Sequence, residues 1–213
     1  MARVAGVAGL SGALIIIAGS VATAIAYVGS AGEAFSPLDH WISELGELAN
    51  SELAAVFNVA LVVGGLEFVV LMVGLMRAVP GPLPRIAAAL GMVGGVCGAM
   101  VGVFPMDRLG THTLVAFGFF GLTCVSIAIF ALSGRPAGPT AGRPAIAAAI
   151  VIVASLVAFL AVVLGGGAGD LSAPDPRPTF WLPSILEWLA LIGLLGWVLI
   201  VSLRLFRETD SSR

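Results

Sequence analysis

Few side chains in this 213-residue chain can do chemistry, and most lie toward one end of a series of apolar runs. There are two histidines, His40 and His112. His40, Ser43, Glu44 and Glu47 fall at i, i+3, i+4 and i+7, one face of a helix. His112 follows Asp107 across a short Pro105-containing turn. Two imidazoles and a carboxylate are enough to hold a catalytic zinc with one open position, so His40, Asp107 and His112 are the candidate ligands for a divalent metal such as zinc. No H-E-x-x-H or similar local signature accompanies them. Asp107, His112 and Glu187 are the candidate catalytic groups, Glu187 lying one turn into the last apolar run, level with His112. Ser43, Glu44, Asn58 and Glu67 are the candidate substrate-binding groups.

Each of these residues also has a structural reading. The Glu44 stripe can face water. Asp107 or Thr111 can cap a helix, and His112 can be a satisfied interior histidine. Ser184 and Glu187 have the S-x-x-E spacing of a capping box. Glu67 has no capping role, because it sits in the middle of an apolar run, where a charge costs about 2.5–3.5 kcal/mol on insertion scales. It is expected to face the bundle interior, either as polar glue between helices or as a proton, ion or substrate site. Asn58 lies nine residues earlier, which at ~100° per residue turns it to the opposite face.

The elements that hold these groups follow from composition. The chain is 59% hydrophobic and 10% charged, with a mean hydropathy of +1.10; a soluble domain carries roughly 25% charged residues. The bilayer is therefore the solvent. Six runs reach the ~20 residues that a membrane helix needs: 4–28, 53–76, 86–104, 112–132, 145–164 and 183–203. The first is longer than the ~7–15-residue apolar core of a signal peptide and reads as an uncleaved span. Ser36-Pro37 is a good helix start, and Leu38, Trp41, Ile42, Leu45 and Leu48 recur at helical spacing after it. The expected fold is all-α: one bundle of six transmembrane helices, with a short amphipathic interfacial helix over 37–48 on the outer side.

Charge sets the orientation. Arg3, Arg77, Arg85, Arg135, Arg143, Arg204, Arg207 and Arg213 share one side, and Arg108 and Arg177 lie on the other. The arginine-rich side is expected in the cytoplasm with both termini, in the plasma membrane. Glu33, Asp39, Glu44, Glu47, Glu52, Asp107, Asp170 and Asp175 face outward, and Tyr27, Trp41, Trp181 and Trp188 mark the outer boundary. Gly91, Gly94, Gly95, Gly98 and Gly102 form overlapping G-x-x-x-G pairs, so the third span is either central in the bundle or a homodimer face. A net charge of −2 implies no nucleic-acid partner. Cys97 and Cys124 read as unpaired apolar packing residues.

Trp41-Ile42-Ser43-Glu44-Leu45-Gly46, then Phe57-Asn58, then Phe104-Pro105-x-Asp107 followed by His112 resemble the pattern of the bacterial and archaeal membrane family catalogued as domain of unknown function 998. The resemblance covers about residues 36 to 130. It implies a multi-helix membrane protein with polar residues gathered at one membrane face, at Ser43, Glu44, Gly46, Asn58, Pro105, Asp107 and His112. It brings no substrate or reaction, and Glu67 stands outside it. Three functions stay open. The first is an outward site that binds a lipid or lipid-linked headgroup, with or without metal-assisted hydrolysis. The second is a small proton-coupled transporter using Glu67. The third is a non-catalytic assembly or stability partner of another membrane protein.

Overall fold

The computed structural model describes residues 1–133, 138–166 and 176–208. Arg135, Asp170, Asp175 and Arg213 of the charge pattern lie outside the described residues. The chain folds into six long helices: α1 (Ala2–Ala26), α2 (Ala54–Ala78), α3 (Pro82–Val103), α4 (Leu109–Ser133), α5 (Arg143–Leu164) and α6 (Leu182–Glu208). All six are long and apolar enough to cross a membrane. Helices are what such a sequence has to form, because hydrocarbon leaves backbone N–H and C=O groups no partner outside the segment. The chain is thus a multi-pass membrane protein, as its composition predicts.

The helices run up and down, each packed on its neighbours in sequence, and α6 returns to α1 to close the ring. Closure is tight from α1 through α4 and light between α4 and α5. Two arginine-end turns share one device. Gly81 (φ 125°) precedes Pro82, and Gly142 (φ 98°) precedes Arg143-Pro144. Glycine supplies the positive φ that turns the chain, and proline starts the next helix where no N–H is needed.

The glycines of α3 face neighbours within the chain. A Cβ at Gly95 would meet the Gly65 carbonyl of α2 at 2.9 Å, and one at Gly94 or Gly98 would meet Thr123 or Phe119 of α4 at 2.8 Å. The bare backbone of α3 thereby lets α2 and α4 approach on either side. Cys97 and Cys124 are free, and Cys97 lies against Gly118.

The outer segment departs from expectation. In place of an amphipathic helix over 37–48 there is a single 3₁₀ turn, Ile42–Gly46, between non-helical turns. Of its apolar side chains, Leu38 and Leu48 stay exposed. Trp41, Ile42 and Leu45 are buried, Leu45 completely. The polar stripe is buried too, at His40 and Glu44. A helix can bury one face, whereas this segment is enclosed on several, and its backbone spends its donors on side chains of other elements. It is a plug seated in one end of the ring.

Candidate functional site

Glu44 anchors the plug. Its Oε1 accepts from the Trp41 N–H at 2.8 Å and from Arg177 Nη1 at 3.2 Å, and its Oε2 accepts from Arg177 Nη2 at 2.5 Å. The fork-on-carboxylate geometry is the strong, directional form of the ion pair. Arg177 Nη1 also donates to the Asp39 carbonyl at 3.1 Å. Burial works against the guanidinium charge, but the bond to Glu44 and its charge outweigh burial and hold the Arg177 pKa above its usual value. Tyr27 hydroxyl points at Glu44 Oε2 from 3.5 Å. Burial first, and then the Glu44 charge, push the tyrosine pKa far upward, so it stays a neutral donor.

His40 belongs to the same cluster. Its ring is 1% exposed and packed on Tyr27 and Phe35, while Trp188 Nε1 donates to the His40 backbone carbonyl at 3.3 Å. Nδ1 lies 2.8 Å from Asp39 Oδ1, and Nε2 is 3.8 Å from Glu33 Oε1 with no hydrogen bond. Glu33 is held below its ordinary 4.5 by the hydrogen bond to its own N–H, then by the Ala31 N–H, Arg177 and His40. A depressed carboxylate stabilises the fold above its unfolded pKa, and that share is lost as pH falls through the folded value.

Three further contacts pin the plug to the bundle. Asn58 Nδ2 donates to the Gly46 carbonyl at 2.9 Å, and a side chain at Gly46 would collide with the Asn58 amide. Asp107 takes the N–H groups of Leu48 and Ala49 at 2.9 and 3.3 Å. Glu187 takes the Ile42 N–H at 2.9 Å. The capping box expected at α6 is therefore not formed as drawn: Glu187 serves the plug, and Ser184 donates to the Trp181 and Pro37 carbonyls. Asp107→Ala should cost about 1 kcal/mol, since it frees two exposed donors. Hydrogen exchange should accelerate at the Leu48 and Ala49 amides while the helices are unchanged.

Beneath the plug, between α4, α5 and α6, lies a groove with about 590 Å³ of empty space, its open mouth included. Its body is apolar, formed by Ala116, Phe117, Phe120, Leu156, Phe159 and Ala190. Its plug end carries Ser43, His112, Thr113 and Glu187. His112 Nδ1 lies 2.9 Å from the Phe104 carbonyl. A carbonyl only accepts, so Nδ1 carries the proton and Nε2 keeps its lone pair, with no partner among the described residues. Ser43 Oγ donates to Met106 Sδ at 3.0 Å, which leaves its oxygen free to accept.

The sequence-derived candidates thus divide. Ser43, His112 and Glu187 meet in the groove, whereas Glu44, Asn58 and Asp107 are structural ties of the plug. The proposed metal set of His40, Asp107 and His112 does not assemble: His40 is enclosed in the Glu33–Asp39 cluster, and Asp107 spends both oxygens on backbone N–H groups. Among the described residues, no three His, Cys, Asp or Glu side chains are grouped to hold a metal ion. Glu67 is apart from all of these, at the α1–α2 contact. Its Oε1 accepts from Ser11 Oγ at 2.9 Å, and its Oε2 is buried without a partner beside Gly12. Arg177 and the groove aromatics were not among the candidates. A cation on a side that carries only one other, Arg108, among many acids was the available signal for Arg177.

No curated protein and no solved structure matches the chain. The sequence pattern of one family matches residues 12–204, across all six helices, the plug and both groove residues His112 and Glu187. The chain belongs to that family, described as Protein of unknown function (DUF998).

Proposed function

We propose that this protein binds a membrane lipid, or the lipid part of a lipid-linked molecule, in the groove between α4, α5 and α6. The observation that carries this is the polarity gradient of the groove, with aromatic and aliphatic walls for a chain and His112, Glu187 and Ser43 together at one end for a head. Ligand sites commonly combine mostly apolar walls with a few convergent polar groups. Lipid is also the molecule that surrounds an opening in a membrane-embedded bundle. The light packing of α5 on α4 gives the chain a lateral way in.

We further place the arginine end in the cytoplasm and the plug on the outer side of the plasma membrane, on the distribution of Arg3, Arg77, Arg85, Arg143, Arg204 and Arg207. Glu187 lies five residues into α6, about 7 Å along the helix at 1.5 Å per residue, the depth of a headgroup boundary. Hydrolysis is not required by this arrangement. His112 and Glu187 are two groups of a kind that can move protons, and the groove brings them to the same end.

The test is a lipid carrying a photoreactive diazirine in its acyl chain, added to the purified protein and irradiated. Cross-links are expected on α4 and α5 peptides containing Phe117, Phe120 and Phe159. Labelling spread evenly over all six helices would sink the proposal.

A further inference from the structure

The polar side chains at the head end of the groove, Ser43, His112, Thr113 and Glu187, include no cation, and the Thr113 hydroxyl can give or accept a bond. Glu187 offers a carboxyl group, one oxygen of which takes the Ile42 N–H. His112 offers the lone pair of Nε2, since Nδ1–H is committed to Phe104. The Ser43 hydroxyl hydrogen is committed to Met106, so its oxygen accepts. Among the described residues, no lysine or arginine lines the groove. Arg177 is bound to Glu44, and Arg108, the nearest cation in sequence, is exposed and outside the lining. Trp41 Nε1–H is unpartnered but sealed from water, and so is not offered to the cavity. A phosphate placed here would lose its water without gaining a cation, and would face a carboxyl group.

We propose that the groove selects lipids whose head donates hydrogen bonds, through a hydroxyl or an amine, and rejects phosphomonoester heads. This rests on the lipid-binding reading above and adds the chemistry of the head. The acceptors at Ser43, His112 and Glu187 would each gain a donor.

The minimal pair of probes is dioleoylglycerol and dioleoyl phosphatidic acid, which differ only in whether the head hydroxyl carries a phosphate. Each is titrated into the delipidated full-length chain and followed by native mass spectrometry. Dioleoylglycerol is expected to bind at least tenfold more tightly. In Glu187→Gln, whose amide can keep the Ile42 bond and turn an NH₂ toward the groove, the ratio is expected to fall toward one. Equal binding by the unaltered protein overturns the head selection and leaves the groove reading standing. Tighter phosphatidic acid binding also overturns it. A preference unchanged in Glu187→Gln overturns the assignment to this end of the groove. Binding of neither lipid overturns both readings.

Discussion

Glu44→Ala is expected to destabilise the protein by about 3–5 kcal/mol, the range found when one partner of a buried ion pair is removed. Its side chain is 3% exposed, and Arg177, 23% exposed, would be left with no carboxylate in its fork. The Trp41 N–H would also lose its acceptor, and with it the 3₁₀ turn that seats Leu45. A drop in Tm on the order of 10 °C in detergent is expected, at roughly 2–4 °C per kcal/mol for a chain of this size. Arg177→Ala should act in the same direction. The double variant should cost clearly less than the sum of the two, because both changes remove one interaction. Full additivity would show that Glu44 and Arg177 stabilise the plug independently.

Gly65→Val should be equally damaging, for a reason that involves no polar group. A Cβ at Gly65 would stand 2.5 Å from the Ala99 nitrogen, 2.7 Å from the Gly95 oxygen and 3.0 Å from the Ala99 Cα, all backbone atoms of α3. Backbone cannot swing aside as a side chain can. Carbon contacts relax at about 3.5–4.0 Å, so α2 and α3 would have to part by about 1 Å. The expected cost is about 3 kcal/mol or more, above the usual range for overpacking because α3 is also wedged against α4. Size-exclusion chromatography in mild detergent should show loss of the monodisperse peak. Gly121→Ala and Gly196→Ala supply the contrast: nothing lies within 4 Å of either built Cβ, and both variants should elute unchanged.

The six helices were legible because apolar length and charge asymmetry are properties of long windows and survive any detail of packing. The ends of α2 and α6 fall within about five residues of expectation for the same reason. The plug was not legible in form. Leu38, Trp41, Ile42, Leu45 and Leu48 have helical spacing, but periodicity reports which residues want burial, not whether one surface or several will bury them. Glu44 shows the difference. Spacing placed it on a polar stripe that could face water or the bundle mouth, and a cation 133 residues away in sequence draws it inside. The helix cap, one of two readings of Glu187, was drawn from local spacing, which can show only local partners; its actual donor, Ile42, is 145 residues distant. His112 was expected to point inward and does, since lipid offers no partner for an imidazole. Most of the residues carrying the family resemblance, Glu44, Gly46, Asn58 and Asp107 among them, turn out to secure the plug; Ser43 and His112 remain for the groove.

The central claim is that the groove under the plug holds a lipid, and native mass spectrometry of protein purified in mild detergent tests it most directly. Unaltered protein is expected to carry a retained lipid at near one-to-one stoichiometry. Ala116→Trp, which fills the groove from α4, should fold with similar Tm and lose that mass. A retained lipid that is unaffected by Ala116→Trp, or protein that carries no lipid at any detergent concentration that preserves the fold, would contradict the account.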